Sequence, residues 1–285
     1  MLPFDCSCRT VHIKFCCIQS NGKQLDRLLH MQLYNIGAGY CYNGKLKYKV
    51  KGKRFSGDMN TALGNCIIMC GMVYEYCQAR RIPEFQLINN GDDCVVFIER
   101  QHLGRFSSSL DQWFLELGFR MTVEPPVYSL AKIEFCQMHP IRIRDDIIMV
   151  RNIPTSTAKD TLSTIDIRNP RTRAKWLTAV GECGLAVTGG IPIVAEFYKA
   201  YMRWGGNTPS KLRDSPQFQS SGFMHLSKGV ATIDEPPLDI TRVDVFEAWN
   251  ITPDEQIALE GIYRNIVWDD TITDRYDNPH TYLLL

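Results

Sequence analysis

Asp92 and Asp93 stand side by side between two apolar runs, Leu87-Ile88 and Val95-Val96-Phe97. Adjacent carboxylates repel each other, and next to core-like residues they are costly unless a positive charge meets them. A hard divalent cation, Mg2+ or Mn2+, would relieve that repulsion, and carboxylates holding such ions serve phosphoryl transfer. A plain Asn-Gly or Gly-Asp β-turn accounts for the same residues without a metal, because Asp is favoured in turns. A second group lies upstream in SGDMNTALGN. It puts Ser56 and Gly57 in a loop, and Thr61 and Asn65 at i and i+4 on one face of a helix. A hydroxyl and a carboxamide so placed can read a ribose 2′-OH, which both donates and accepts. Helix capping by Ser56 or Asn60 is the structural alternative.

Before that loop, GKLKYKVKGKRF places Lys45, Lys47, Lys49, Lys51 and Lys53 at alternate positions, followed by Arg54. Period two is the period of a strand, so one face would be almost wholly cationic. Such a face suits phosphate contacts that are salt-sensitive and blind to sequence. It equally suits an edge strand that uses lysine against aggregation.

Lys23–Asn35 keeps a helical period and is broken by GAGY, and Thr61–Arg80 is an apolar helix. FQLINN and CVVFIER form a hairpin around Gly91-Asp92-Asp93. Residues 107–119 read as a helix capped by serine and stopped at Gly118. Strand pieces are expected at Met121–Val123 and Lys132–Gln137. Arg171–Glu182 and Ile191–Trp204 are helices, and Thr252, Pro253 and Glu255 open another with a capping box. Gly205–Ser221 reads as a mobile loop. The first part is therefore α+β and the rest mainly helical.

Composition agrees with a globular chain: 285 residues, 45% hydrophobic and 22% charged. No apolar run reaches the roughly 18 residues that span a bilayer, and MLPFDCSCRT lacks the features of a secretory signal. A soluble cytosolic chain is expected. Eleven cysteines in apolar contexts read as reduced thiols; Cys6, Cys8, Cys16 and Cys17 do not have zinc-knuckle spacing. Net charge is only +1, but Asp234–Asp277 holds twelve acidic and three basic residues, leaving a basic body that suits a polyanion.

Taken together, the motifs resemble a family. The order of SGDMNTALGN, the GDD hairpin and then Phe135-Cys136-Gln137 is similar to the palm of viral RNA-dependent RNA polymerases. In detail it resembles those of positive-strand plant viruses of the tombusvirus and umbravirus kind. Further matching segments are DRLLHMQLYNIGAGY (26–40), LGFRMTVE (117–124), IMVRNIPTSTAKD (148–160) and GGIPIVAEFY (189–198).

The resemblance implies a fold: an α+β palm over residues 1–148, an antiparallel sheet with the GDD hairpin and packed helices, then a mainly helical thumb with an acidic C-terminal region over 149–285. It implies templated nucleotidyl transfer from ribonucleoside triphosphates with Mg2+ or Mn2+ held by Asp92 and Asp93. Ser56, Gly57, Thr61 and Asn65 would check the incoming ribonucleotide. Phe135, Cys136 and Gln137 would support the primer, and Lys45, Lys47, Lys49, Lys51, Lys53 and Arg54 would contact RNA. Template and product RNA are the implied partners. A viral auxiliary replication protein and host membranes would be reached only indirectly, in membrane-associated replication complexes of the host-cell cytoplasm.

Two departures stand out. The family's motif A, a pair of aspartates upstream of DRLLHMQL, and the fingers with their basic triphosphate-gripping motif have no counterpart. Asp5 lies too close to stand in. This reads as a C-terminal fragment, inactive alone. In motif D, Thr122 stands where relatives often carry lysine, with Arg120 close by. A non-catalytic RNA-binding or replicase-assembly module that keeps the palm fold is the alternative. A host metal-dependent nuclease would leave SGDMNT without a role.

Overall fold

The apolar stretch from Ile67 to Val73 dictates the first half of the molecule, because it makes a helix that must be covered. The computed structural model describes residues 22–163, 165–206, 222–230 and 233–268. They fall into two units that divide between Pro125 and Pro126. Asp5 and the cysteines at 6, 8, 16 and 17 lie outside the described residues, as does most of the expected loop at 205–221.

In the first unit, α1 (Gly22–Met31) leads into an antiparallel ribbon of β1 (Tyr34–Cys41) and β2 (Gly44–Lys51). The helix expected to run to Asn35 thus ends early, and GAGY is strand rather than break. Next come α2 (Thr61–Ala79), β3 (Phe85–Asn90) and β4 (Asp93–Ile98). Burial alternates along β3, as period two requires, while β4 is half-buried from Cys94 to Ile98. The inner face of this hairpin, Phe85, Leu87, Cys94, Val96 and Ile98, packs on Met69, Met72, Val73, Tyr76 and Cys77 of α2. Tyr76 is fully buried; its hydroxyl donates to the Phe106 carbonyl and its ring meets Trp113 and Phe114. Those aromatics belong to α3 (Leu103–Ser107) and α4 (Leu110–Glu116) and their connection. The helix expected over 107–119 is therefore shorter. Ser109 stands at its N-cap but its hydroxyl makes no cap bond. Gly118, at φ +88°, ends it as expected. Met121–Val123 is not a strand.

The second unit opens with a hairpin that the sequence reading missed, β5 (Met138–Ile143) and β6 (Asp146–Arg151). A division at 148/149 would cut β6 in two; the hairpin packs within the second unit. After α5 (Ile153–Asp160) come α6 (Pro170–Thr188) and α7 (Val194–Trp204), which form the core with Trp176, Leu177, Val180, Phe197, Tyr198 and Tyr201. A Cβ on Gly184 would fall 2.2 Å from the Tyr198 ring, so only glycine lets these helices approach so closely. α8 (Gly222–Ser227), α9 (Asp239–Trp249) and α10 (Pro253–Asn265) complete the unit. α10 starts with the expected capping box of Thr252 and Glu255.

Many of the acidic residues after Asp234 are used here. Asp244 takes a paired contact from Arg142, Glu235 pairs with Arg144, and Asp234 with Lys199. Buried Glu260 accepts from both Arg242 nitrogens at 2.9 and 3.1 Å. Three of these acids thus meet cations from outside the acidic segment, so part of the uneven charge is neutralised within the second unit.

Candidate active site

The tip of the β3–β4 hairpin is a two-residue turn, Gly91-Asp92, closed by the Asn90–Asp93 pair. Gly91 has φ +86°, the positive value that the first turn residue of a type II′ hairpin needs. Its N–H donates to Asn89 Oδ1 at 2.8 Å. Asn89 in turn anchors the tip to α2, donating to the Cys66 carbonyl at 2.8 Å and lying 3.3 Å from Cys70 Sγ. Asp92 and Asp93 are both exposed, and neither is in a salt bridge with a described residue. The pair is thus displayed rather than neutralised. Burial pushes the neighbouring Cys94 thiol up, reinforced by the charge of Asp93 and by Cys70.

The loop before α2 is held by Asp58, which the sequence reading did not single out, and by Arg54 and Thr61, to which it gave other roles. The Phe55 N–H donates to Asp58 Oδ2 at 3.0 Å, and Arg54 Nη1 donates to the Asn60 carbonyl at 2.8 Å. Thr61 Oγ1 donates to the Phe55 carbonyl at 2.9 Å. Arg54 and Thr61 therefore brace this loop. Asn60 occupies the N-cap without a side-chain cap bond, and Ser56 lies exposed four residues earlier, so capping does not account for either. Gly57 has φ +93°, which keeps the loop's outer edge free of a side chain.

Asn65 connects the two motifs. A Cβ placed on Gly91 would lie 3.4 Å from the Asn65 Cβ, so this helix position sits against the turn that carries Asp92. Asn65 is half-buried, and its carboxamide forms no hydrogen bond with a described residue. Two motifs 26 residues apart in sequence, counted from Asn65 to Gly91, meet at one point of the first unit.

On the ribbon, Lys45, Lys47, Lys49 and Lys51 pair with Tyr40, Ala38, Ile36 and Tyr34 and so share one face. Lys53 lies past Gly52 and outside β2; its carbonyl accepts from Asn35 Nδ2 at 2.7 Å. Phe135, Cys136 and Gln137, expected as a strand, form a tight turn in the second unit. The Phe135 and Met138 N–H groups each donate to the other's carbonyl, at 2.9 and 3.1 Å. Cys136 and Gln137 have φ +54° and +60°, a type I′ arrangement where Asn and Gly are usual. Gln137 is exposed, and its carbonyl accepts from the Asn152 N–H at 3.2 Å. Among the described residues, no group of three His, Cys, Asp or Glu side chains converges on a common metal position.

Residues 10–269 match the family described as viral RNA dependent RNA polymerase. The RNA-directed RNA polymerase of Tobacco necrosis virus (strain A) is 41% identical over 267 residues, covering 93% of this chain and 36% of its own length. That of Turnip crinkle virus is 40% identical over 257 residues, covering 88% and 33% respectively. That of Carnation mottle virus is 38% identical over 269 residues, covering 93% and 33%. The chain spans about a third of the length of the curated relatives it matches.

Proposed function

This chain belongs to the viral RNA dependent RNA polymerase family, and from that premise we propose that it supplies palm and thumb of an RNA-directed RNA polymerase replicating a positive-strand viral genome. The observation that carries the reading is the placement of Asn65, whose Cβ lies 3.4 Å from where a Cβ on Gly91 would stand, against the turn that displays Asp92 and Asp93.

Asp92 and Asp93 fit a hard divalent cation: they are adjacent, exposed, oxygen-only donors without a described counter-charge. Mg2+ is commonly held by one or two carboxylates together with waters and substrate phosphates, so two suffice from this unit. A divalent ion held by Asp92 and Asp93 would supply a lowered pKa for the primer hydroxyl and a counter-charge for the phosphate. The reaction is attack of the primer 3′-OH on the α-phosphate of a ribonucleoside triphosphate, with pyrophosphate leaving. Asn65 meets the ribose 2′-OH, and the braced loop at Ser56 and Gly57 lets the nucleotide approach the backbone closely. The rigid turn at Phe135–Gln137 supports the product strand. Lys45, Lys47, Lys49 and Lys51 contact RNA phosphates. Auxiliary replication protein and host membranes are reached through other parts of the replication complex, in the host-cell cytoplasm. In support, no helix among the described residues is long and apolar enough to cross a membrane.

The test is template-directed incorporation of labelled ribonucleotide by a polymerase of the relatives' full length that contains these residues. Asp92→Asn is expected to lower kcat by about a thousandfold or more, since a lost metal ligand forfeits several kcal/mol of transition-state stabilisation. Incorporation equal to wild type, or RNA binding with no incorporation by the wild type, would overturn the reading. The second outcome would leave a non-catalytic RNA-binding module.

A further inference from the structure

The two faces of the β1–β2 ribbon differ in kind. One carries Asn35, Gly37 and Gly39 opposite Val50, Tyr48 and Leu46. It is partly closed by the chain itself: a Cβ on Gly37 would fall 2.2 Å from the Tyr48 hydroxyl, so that ring lies across the strand. The Tyr48 ring also meets Phe55, at 5.3 Å between centroids, at the start of the loop that leads to α2. The other face carries Tyr34 and Tyr40 with Lys45, Lys47, Lys49 and Lys51, and is open along its length. Tyr34 is 51% and Tyr40 75% exposed. The ammonium of Lys45 lies 4.7 Å from the Tyr40 ring centroid, and that of Lys51 5.4 Å from Tyr34. At each end, an aromatic ring and a cation therefore share one patch.

Four lysines on one strand face make it a poor surface to bury in a protein core, because each ammonium would lose its water without a carboxylate to replace it. A polyanion with flat apolar groups fits instead. Lysines at alternate positions lie about 6.8 Å apart along the strand, a step comparable to one nucleotide of an extended chain. The two tyrosines, six positions apart, lie roughly 20 Å from each other, so they would take two well-separated bases rather than neighbours. Duplex RNA has its bases stacked and paired and cannot offer them to such rings, whereas an unpaired strand can.

We propose that this face is a single-strand RNA platform, with Tyr34 and Tyr40 stacking unpaired bases while Lys45–Lys51 hold the intervening phosphates. The platform rests on the polymerase reading for the source of its RNA and extends it: the ribbon selects unpaired over paired RNA, beyond simple charge attraction. Through Tyr48 and Phe55, the strand so held is coupled to the loop that precedes α2.

Fluorescence anisotropy of the full chain tests this with a labelled oligoadenylate about twelve nucleotides long and an RNA duplex of equal length, a span typical of single-strand sites. Tyr34→Ala with Tyr40→Ala should weaken oligoadenylate binding on the order of tenfold or more per ring, with duplex binding unchanged. The pair of Tyr→Phe changes should keep the affinity. The pair of Tyr→Leu changes, which preserve apolar volume and so the ribbon, should lose it like alanine. Each Lys→Gln change should reduce the log–log salt slope by about 0.7. Equal losses on single strand and duplex would overturn the proposal. So would an unchanged oligoadenylate affinity in the Tyr→Leu pair, which would assign the face to a protein partner. Failure of the polymerase reading looks different: RNA binding and its tyrosine dependence persist while ribonucleotides are not incorporated.

Discussion

Asn65→Ala separates chemistry from folding more cleanly than any other change near the hairpin. The atom of Asn65 that faces Gly91, within 3.4 Å of where a Cβ on Gly91 would stand, is its Cβ, which alanine retains. The carboxamide that it removes bonds to no described residue, so no internal hydrogen bond is lost. Asn65 lies in the interior of α2, where alanine is the better helix former by up to about 0.7 kcal/mol. The melting temperature should therefore stay level or rise slightly. What disappears, on the proposed role of Asn65, is one hydrogen-bond partner for the ribose 2′-OH, worth about 1–1.5 kcal/mol, or roughly tenfold in discrimination. Primer extension with matched ribo- and deoxyribonucleoside triphosphates measures the ratio of their kcat/KM values. The expected result is a fall of about tenfold, mainly through slower ribonucleotide use. An unchanged ratio in a variant with wild-type stability would refute the reasoning and reduce Asn65 to a brace for the turn. A large loss of stability would refute it differently, by showing that the carboxamide has an internal partner.

Further expectations concern the supports of the site and the second unit. Gly91→Ala forces a side chain into φ +86° at a cost of about 1–2 kcal/mol. It should reduce incorporation about a hundredfold if the tip shifts by an ångström, with calorimetry reporting only a small drop in Tm. Glu260→Ala strips Arg242 of its buried partner. It should destabilise the chain by about 3–5 kcal/mol, read as a lower urea midpoint, with Glu260→Gln milder. The side-chain hydrogen bond from Arg168, together with its backbone N–H and charge, holds the Asp166 carboxyl down to about 2. Because that folded value is depressed, the interaction is fully present above the ordinary carboxylate range and is lost as pH falls through about 2. A carbon-detected NMR titration should find that midpoint, and Arg168→Ala should return it towards 3.8.

What the sequence made legible follows from how local each signal is. The GDD hairpin could be read because alternation and a glycine-aspartate turn coincide within fourteen residues, Phe85–Ile98. The start of α10 could be read because Thr252, Pro253 and Glu255 form a complete local code. β1 was hidden because Gly37 and Gly39 look like a break; Gly37 is required by the Tyr48 ring of the opposite strand, a contact invisible in sequence. β5 was hidden by Pro140, which an edge strand tolerates. The turn at Cys136 and Gln137 carries neither glycine nor asparagine, so its positive φ values come from the hydrogen bonds around it. Within the proposed site, Asp92, Asp93 and Asn65 could be picked out by type and spacing, and the fold brings Asn65 beside the turn at Gly91. The bracing roles of Arg54, Asp58 and Asn89 were not, since each works by reaching a backbone group whose position only the fold defines.

The central claim is that the Asp92–Asp93 tip and the start of α2 form one cation and nucleotide site. Iron-mediated cleavage tests this directly: Fe2+ replaces Mg2+, ascorbate and peroxide generate radicals at the ion, and mass spectrometry maps the backbone cuts. The account predicts cuts at Gly91–Asp93 and, because Asn65 abuts Gly91, a second cluster around Gly57–Asn65. Both should vanish in Asp92→Asn and be suppressed by excess Mg2+. Cuts at the hairpin alone, or a pattern indifferent to Asp92, would contradict it.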